Sequence, residues 1–136
     1  VPRGGAELGL FVVDGSWGTL QPMHAAEGVE TVAELDVIEQ IRAGGPVVDT
    51  RPREAYLKAT IPTAVNLPRS PATGAAAGLD PSSPAILFCN GPLCAATPDA
   101  IAGLLRAGHP ASAIRYYRGG LHDWITLGLP VEAGEA

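Results

Sequence analysis

Ala85-Ile86-Leu87-Phe88-Cys89-Asn90-Gly91-Pro92-Leu93-Cys94-Ala95-Ala96-Thr97-Pro98-Asp99 is the stretch on which the fold turns. Its first four residues are an apolar run bounded by Pro84 before and Gly91-Pro92 after, which predicts a buried strand. Thr97 suits an N-cap, Pro98 the first helical position, and Asp99 the positive end of the helix dipole. Ile101, Leu104 and Leu105 then form an apolar face, and Gly108 ends the helix. The order is therefore strand, cysteine, loop, helix. Ligands of open parallel sheets bind beyond the carboxyl ends of the strands. A loop leading into a helix N-terminus can turn its amides onto an anion, and the same field favours thiolate. Cys89 is on this reading a nucleophile facing an anionic substrate. The competing reading is a small buried hydrophobe, as most free cysteines are.

The flanking segments repeat the alternation. Thr31-Val32-Ala33-Glu34 reads as a capping box, followed by Leu35, Ile38 and Ile41 at helical spacing and a Gly44-Gly45 stop. Residues 46–50 read as a buried β-branched strand, Arg53–Lys58 as a short helix behind Pro52, and residues 64–67 as a second short strand. Residues 69–84 read as a loop with one weak helical turn at 75–77. Ile114–Tyr117 predicts a further strand, and residues 121–127 a helix stopped by Gly128 and Pro130. Residues 11–14 suggest one more short strand, inside an N-terminal segment taken as 1–28, with the folded domain at 29–136. Strands alternating with helices through short links predict an α/β domain with a largely parallel sheet.

The bulk properties exclude more than they assign. A chain of 136 residues fits one domain, and 46% hydrophobic with 17% charged residues argues against disorder throughout. The net charge of -5 and the absence of a basic run make nucleic acid a poor partner. No apolar stretch is long enough to cross a bilayer, so no membrane association is expected. Val1-Pro2-Arg3-Gly4 is not a signal peptide and resembles a protease site from a tag; residues 1–5 are set aside. Two cysteines five apart make no disulfide framework, which makes cytoplasm the default, although a leader already removed would leave no trace. His24, His109 and His122 show no ligand spacing, so no metal is expected. Tyr116, Tyr117 and Trp124 read as core or pocket wall. His122 and Asp123 read as a solvated face.

Taken in order, several short motifs resemble the rhodanese-like (sulfurtransferase) family over about residues 30–131. Val47-Val48-Asp49-Thr50-Arg51 is similar to its first Asp-x-Arg segment. Tyr56, Ile61-Pro62, Ala64 and Leu67-Pro68 follow its next motif. Gly119-Gly120, Trp124, Gly128 and Pro130 follow its closing signature. The resemblance implies a parallel five-stranded sheet flanked by helices on both faces and a persulfide-carrying Cys89. It implies a substrate-binding loop of Asn90, Gly91, Pro92, Leu93, Cys94, Ala95, Ala96 and Thr97, with Asp49 and Arg51 as structural support and no cofactor. The partners it implies are a small anionic or persulfide sulfur donor and a thiol, cyanide or protein acceptor.

There are departures from the pattern. The family's usual Gly-His-Ile-Pro-Gly-Ala stands here as Ala59-Thr60-Ile61-Pro62-Thr63-Ala64. The cysteine loop is about two residues longer than usual and holds no Arg, Lys or His. Phosphatases and arsenate reductases of this fold clamp an oxyanion with a loop arginine, which argues against phosphatase action here. Thiosulfate recognition would rest on backbone amides and the helix dipole. Cys94 is either a resolving thiol or a small apolar filler. The expected function is sulfur transfer; its rivals are a thiol–disulfide redox protein using Cys89 and Cys94, and a non-catalytic binding module.

Overall fold

The computed structural model describes residues 20–67 and 78–135. The strand expected at 11–14 and the helical turn expected at 75–77 lie outside the described residues. Five strands form one sheet: β1 (Glu30–Val32), β2 (Val47–Asp49), β3 (Val65–Asn66), β4 (Ala85–Phe88) and β5 (Ile114–Tyr117). Their order is β1-β5-β4-β2-β3, and every pair is parallel. The helices are α1 (Glu34–Arg42), α2 (Arg53–Lys58), α3 (Ala96–Arg106) and α4 (Gly120–Thr126).

Side chains alternate across each strand, so the sheet separates two cores. Ile86 and Phe88 join Val47 and Tyr117 on one face, under Val37 of α1 and Leu121 and Trp124 of α4. Ala85 and Leu87 join Val48, Ile114 and Tyr116 on the other, under Ala100, Ile101 and Leu104 of α3. All four residues of β4 are buried, as a strand covered on both faces must be. Each fully buried Leu, Ile or Phe contributes about 1.5–3 kcal/mol, so this central layer dominates the hydrophobic stabilisation.

Two helix starts differ from expectation. Thr31 lies within β1 and caps nothing: its hydroxyl donates to the Met23 carbonyl. Ala33 is the N-cap of α1, and the Asp36 carboxylate, 3.0 Å away, accepts its amide proton. A three-residue edge strand precedes the helix and claims the residues that read as its cap. The apolar face shifts accordingly: Val37 is fully buried, and Leu35 is 78% exposed. Thr97 likewise is not a cap. Ala95 holds that position, and Thr97 is buried inside the first turn of α3.

Candidate active site

Cys89 is the first residue beyond β4. By the strand's alternation it follows Ala85 and Leu87 onto the α3 face, and it is buried. The adjoining loop is built by backbone bonds. The Cys94 amide donates to the Gly91 carbonyl at 3.1 Å, closing a turn. The first turn of α4 grips the other side: Leu121 N–H donates to Cys89 O at 2.9 Å and His122 N–H to Asn90 O at 2.8 Å. This approach requires glycine at 120. Its φ is +63°, and a Cβ there would collide with the Cys89 carbonyl and stand 2.7 Å from the Gly91 amide nitrogen. The Gly-Gly pair is thus the seat of the cysteine loop.

Thr50 and Thr97 support the thiol from below. Thr50 gives its amide and its hydroxyl to the Phe88 carbonyl, at 2.9 and 3.0 Å, and its hydroxyl lies 2.8 Å from that of Thr97. The Thr97 amide and hydroxyl lie near enough to the Cys89 sulfur to favour negative charge there. Each hydroxyl has one proton. While Thr50 donates to Phe88, Thr97 donates to Thr50. When Cys89 carries negative charge, Thr50 can turn to Thr97 and Thr97 to the sulfur. Phe88 O then still keeps the Thr50 amide.

The resting cysteine is a thiol. Cys94 and burial push its pKa well above the ordinary cysteine range, against the opposing pull of the Thr97 amide and hydroxyl. Its Sγ donates to the Cys94 carbonyl at 3.5 Å. This corrects the expectation that the loop field favours thiolate. The neighbouring Cys94 and burial outweigh the donors.

The remaining predicted residues fall in two groups. Asn90 is exposed, Gly91 buried, Pro92, Leu93, Cys94 and Ala95 half-buried, and Ala96 and Thr97 buried. Asp49 and Arg51 form a buried pair at 2.7 Å. Asp49 also accepts from the Thr60 hydroxyl at 2.8 Å, and Arg51 donates to Ala59 O. Asn66 bonds the carbonyls of both. They tie the end of β2 to residues 59–60 and to β3, while Thr50 between them reaches the cysteine strand.

Sequence reasoning missed Thr50 and Arg118. Arg118 follows β5 and, by alternation, shares the face of Tyr116 and Cys89. It grips the Gln21 carbonyl through Nε and Nη2, at 2.9 and 2.6 Å, while the Gln21 amide donates to Pro92 O at 2.8 Å. A cation therefore borders a loop that has none of its own. The signal was the period-2 pattern of Tyr116 and Arg118 just before the Gly-Gly pair.

Comparisons with known proteins agree with this geometry. The family model described as Rhodanese-like domain matches residues 34–127. An HTH-type transcriptional regulator of Mycobacterium tuberculosis is 28% identical over 106 residues, 77% of this chain. The chain spans 46% of that relative's length. The BH2092 protein of Bacillus halodurans superposes with a TM-score of 0.68 at 27% identity, over 76% of this chain and 77% of that one. A thiosulfate sulfurtransferase of Pseudomonas aeruginosa superposes with a TM-score of 0.63 at 22% identity, over 84% of this chain and 22% of that one, a likeness of fold.

Proposed function

The chain belongs to the rhodanese-like domain family, and from that premise we propose that it is a sulfurtransferase working through a persulfide on Cys89. The observation that carries the reading is a buried cysteine at the carboxyl end of the central strand, inside a loop seated on α4 and opening into α3. Cys89 sulfur attacks the outer sulfur of a donor. A new S–S bond forms, the donor's bond to that sulfur breaks, and its electron pair leaves with the remainder of the donor. With a thiol-bound persulfide as donor, the Cys89 thiol proton passes to the departing thiolate, and the products are Cys89–S–SH and the free thiol. An acceptor thiol or cyanide then attacks the outer sulfur and restores Cys89. This is double displacement through a covalent intermediate. The Thr50–Thr97 hydroxyl pair supplies a reorientable donor for the charge that develops on sulfur.

The test is mass spectrometry after incubation with thiosulfate or inorganic polysulfide. The expected result is one sulfur added at Cys89 and none in Cys89→Ser. Sulfur transfer to cyanide by Cys89→Ser at the wild-type rate would overturn the assignment.

The nearness of Cys94 favours a second reading, thiol–disulfide chemistry. Peroxide converts Cys89 to a sulfenate, Cys94 attacks it, the S–S bond forms, and water leaves. A disulfide between the two cysteines, without sulfur uptake from either donor, would select this reading. The similarity to a transcriptional regulator supports a third, a binding module. A chain that neither takes up sulfur nor forms the disulfide would select it.

A further inference from the structure

The three tyrosines are not equally satisfied. Tyr56 donates its hydroxyl proton to the Ala64 carbonyl at 3.0 Å, and Tyr117 to the Glu34 carboxylate at 2.6 Å. The Tyr116 hydroxyl is buried and has no hydrogen-bond partner among the described residues. A buried tyrosine usually finds one, because an unpaired hydroxyl costs stability that phenylalanine would not. Its place in the sheet explains what it faces. Tyr116 pairs with Leu87, two residues before Cys89, and the three side chains share the α3 face. The orphan hydroxyl thus lies on the same sheet face as the cysteine, near enough for charge at Cys89 to be felt there.

We propose that the Tyr116 hydroxyl donates a hydrogen bond to the outer sulfur of the Cys89 persulfide and so fixes the reactive species in the loop. The proposal rests on the sulfur-transfer reading and adds a substrate-contacting residue to it. No proton is transferred: the phenol donates and the sulfur accepts. Burial, with the negative charge that develops when the Cys89 sulfur ionises, pushes the phenol pKa up to about 12, against the pull of Arg118, so the proton is in place at neutral pH.

Tyr116→Phe keeps the ring and removes the donor. Wild type and variant are loaded with inorganic polysulfide, and the lifetime of the Cys89 persulfide and the pH dependence of its transfer to cyanide are followed. The variant should melt at or above the wild-type temperature, since no internal bond is lost. Its persulfide should decay about tenfold faster, and the pH midpoint of transfer should rise by about one unit, as expected for a lost hydrogen bond to a charged group. Equal lifetimes and pH midpoints in the two proteins would overturn the role of Tyr116 and leave the sulfur-transfer reading intact. A Tm several degrees lower in the variant would also overturn it, by showing that the hydroxyl has a structural partner. Failure of the wild type to take up sulfur at Cys89 would remove the sulfur-transfer reading and this inference together.

Discussion

The thiol proton of Cys89 is the smallest feature with a measurable consequence. In the unfolded chain a cysteine ionises near pH ~8.5. In the fold Cys94 and burial hold the proton to a much higher pH. Between those limits the unfolded state has lost a proton that the native state keeps. The Cys89 contribution is therefore intact below about pH 8.5, and stability falls as pH rises, by at most about 1.4 kcal/mol per unit. Urea midpoints from pH 7 to 10 should decline more steeply for wild type than for Cys89→Ala. Parallel declines would show that the thiol is not held. Thr63 carries a different local effect. It is the one described non-glycine residue with positive φ, +71°, at the place where the family pattern has glycine. A β-branched residue there costs about 1–2 kcal/mol, more than the roughly 0.5–1 kcal/mol of added glycine entropy. Thr63→Gly should therefore stabilise the fold by about 0.5 kcal/mol or more in chemical denaturation, and a clear loss would contradict the argument.

At the level of the elements, the contact between α4 and the cysteine loop is the joint on which the site depends. Gly120→Ala forces a Cβ against the Cys89 carbonyl and the Gly91 amide, neither of which can move without shifting the loop. It should cost at least about 2 kcal/mol and abolish sulfur loading. Gly128 also has positive φ, +77°, but open space around its Cβ. Gly128→Ala should cost only about 1 kcal/mol and leave loading intact. Loading by Gly120→Ala at the wild-type level would show that the loop does not need this seat. The two glycines also mark how far the sequence could be read. The four-residue strand β4 and the six-residue helix α2 were legible, because an apolar run between prolines and a proline-led helix are local signals. Thr31 and Thr97 read as caps in the sequence and are not, because nothing local reveals that one pairs with β5 and the other lies against Thr50. Cys89 was legible as the residue after a buried strand. Its protonation, and the arrival of Arg118 beside its loop, depend on side chains that only the sheet brings together.

Across the whole molecule, charge bears on which sulfur donor is used. The chain carries a net charge of -5, which disfavours approach of a dianion such as thiosulfate. Arg118 opposes this locally, beside Tyr116, but two of its nitrogens are engaged by the Gln21 carbonyl, and the loop from Cys89 to Thr97 adds no cation. The long-range field is repulsive and the short-range field attractive. Salt separates them, since the Debye length contracts from about 30 Å at 10 mM to about 8 Å at 150 mM. Repulsion from distant carboxylates is screened over that range, whereas a contact with Arg118 inside the half-buried site is screened much less. The value of kcat/KM for thiosulfate should therefore lie below that for a neutral thiol-bound persulfide at low salt. It should rise by about threefold across the range, while the neutral donor changes little. Arg118→Gln should lower the thiosulfate value at both salt concentrations and change the ratio between them little, because the local loss outweighs the one added unit of net negative charge. If salt instead slows thiosulfate turnover in wild type, and Arg118→Gln removes that dependence, the guanidinium rather than the net charge governs approach, and thiosulfate becomes a donor that the site is built to attract.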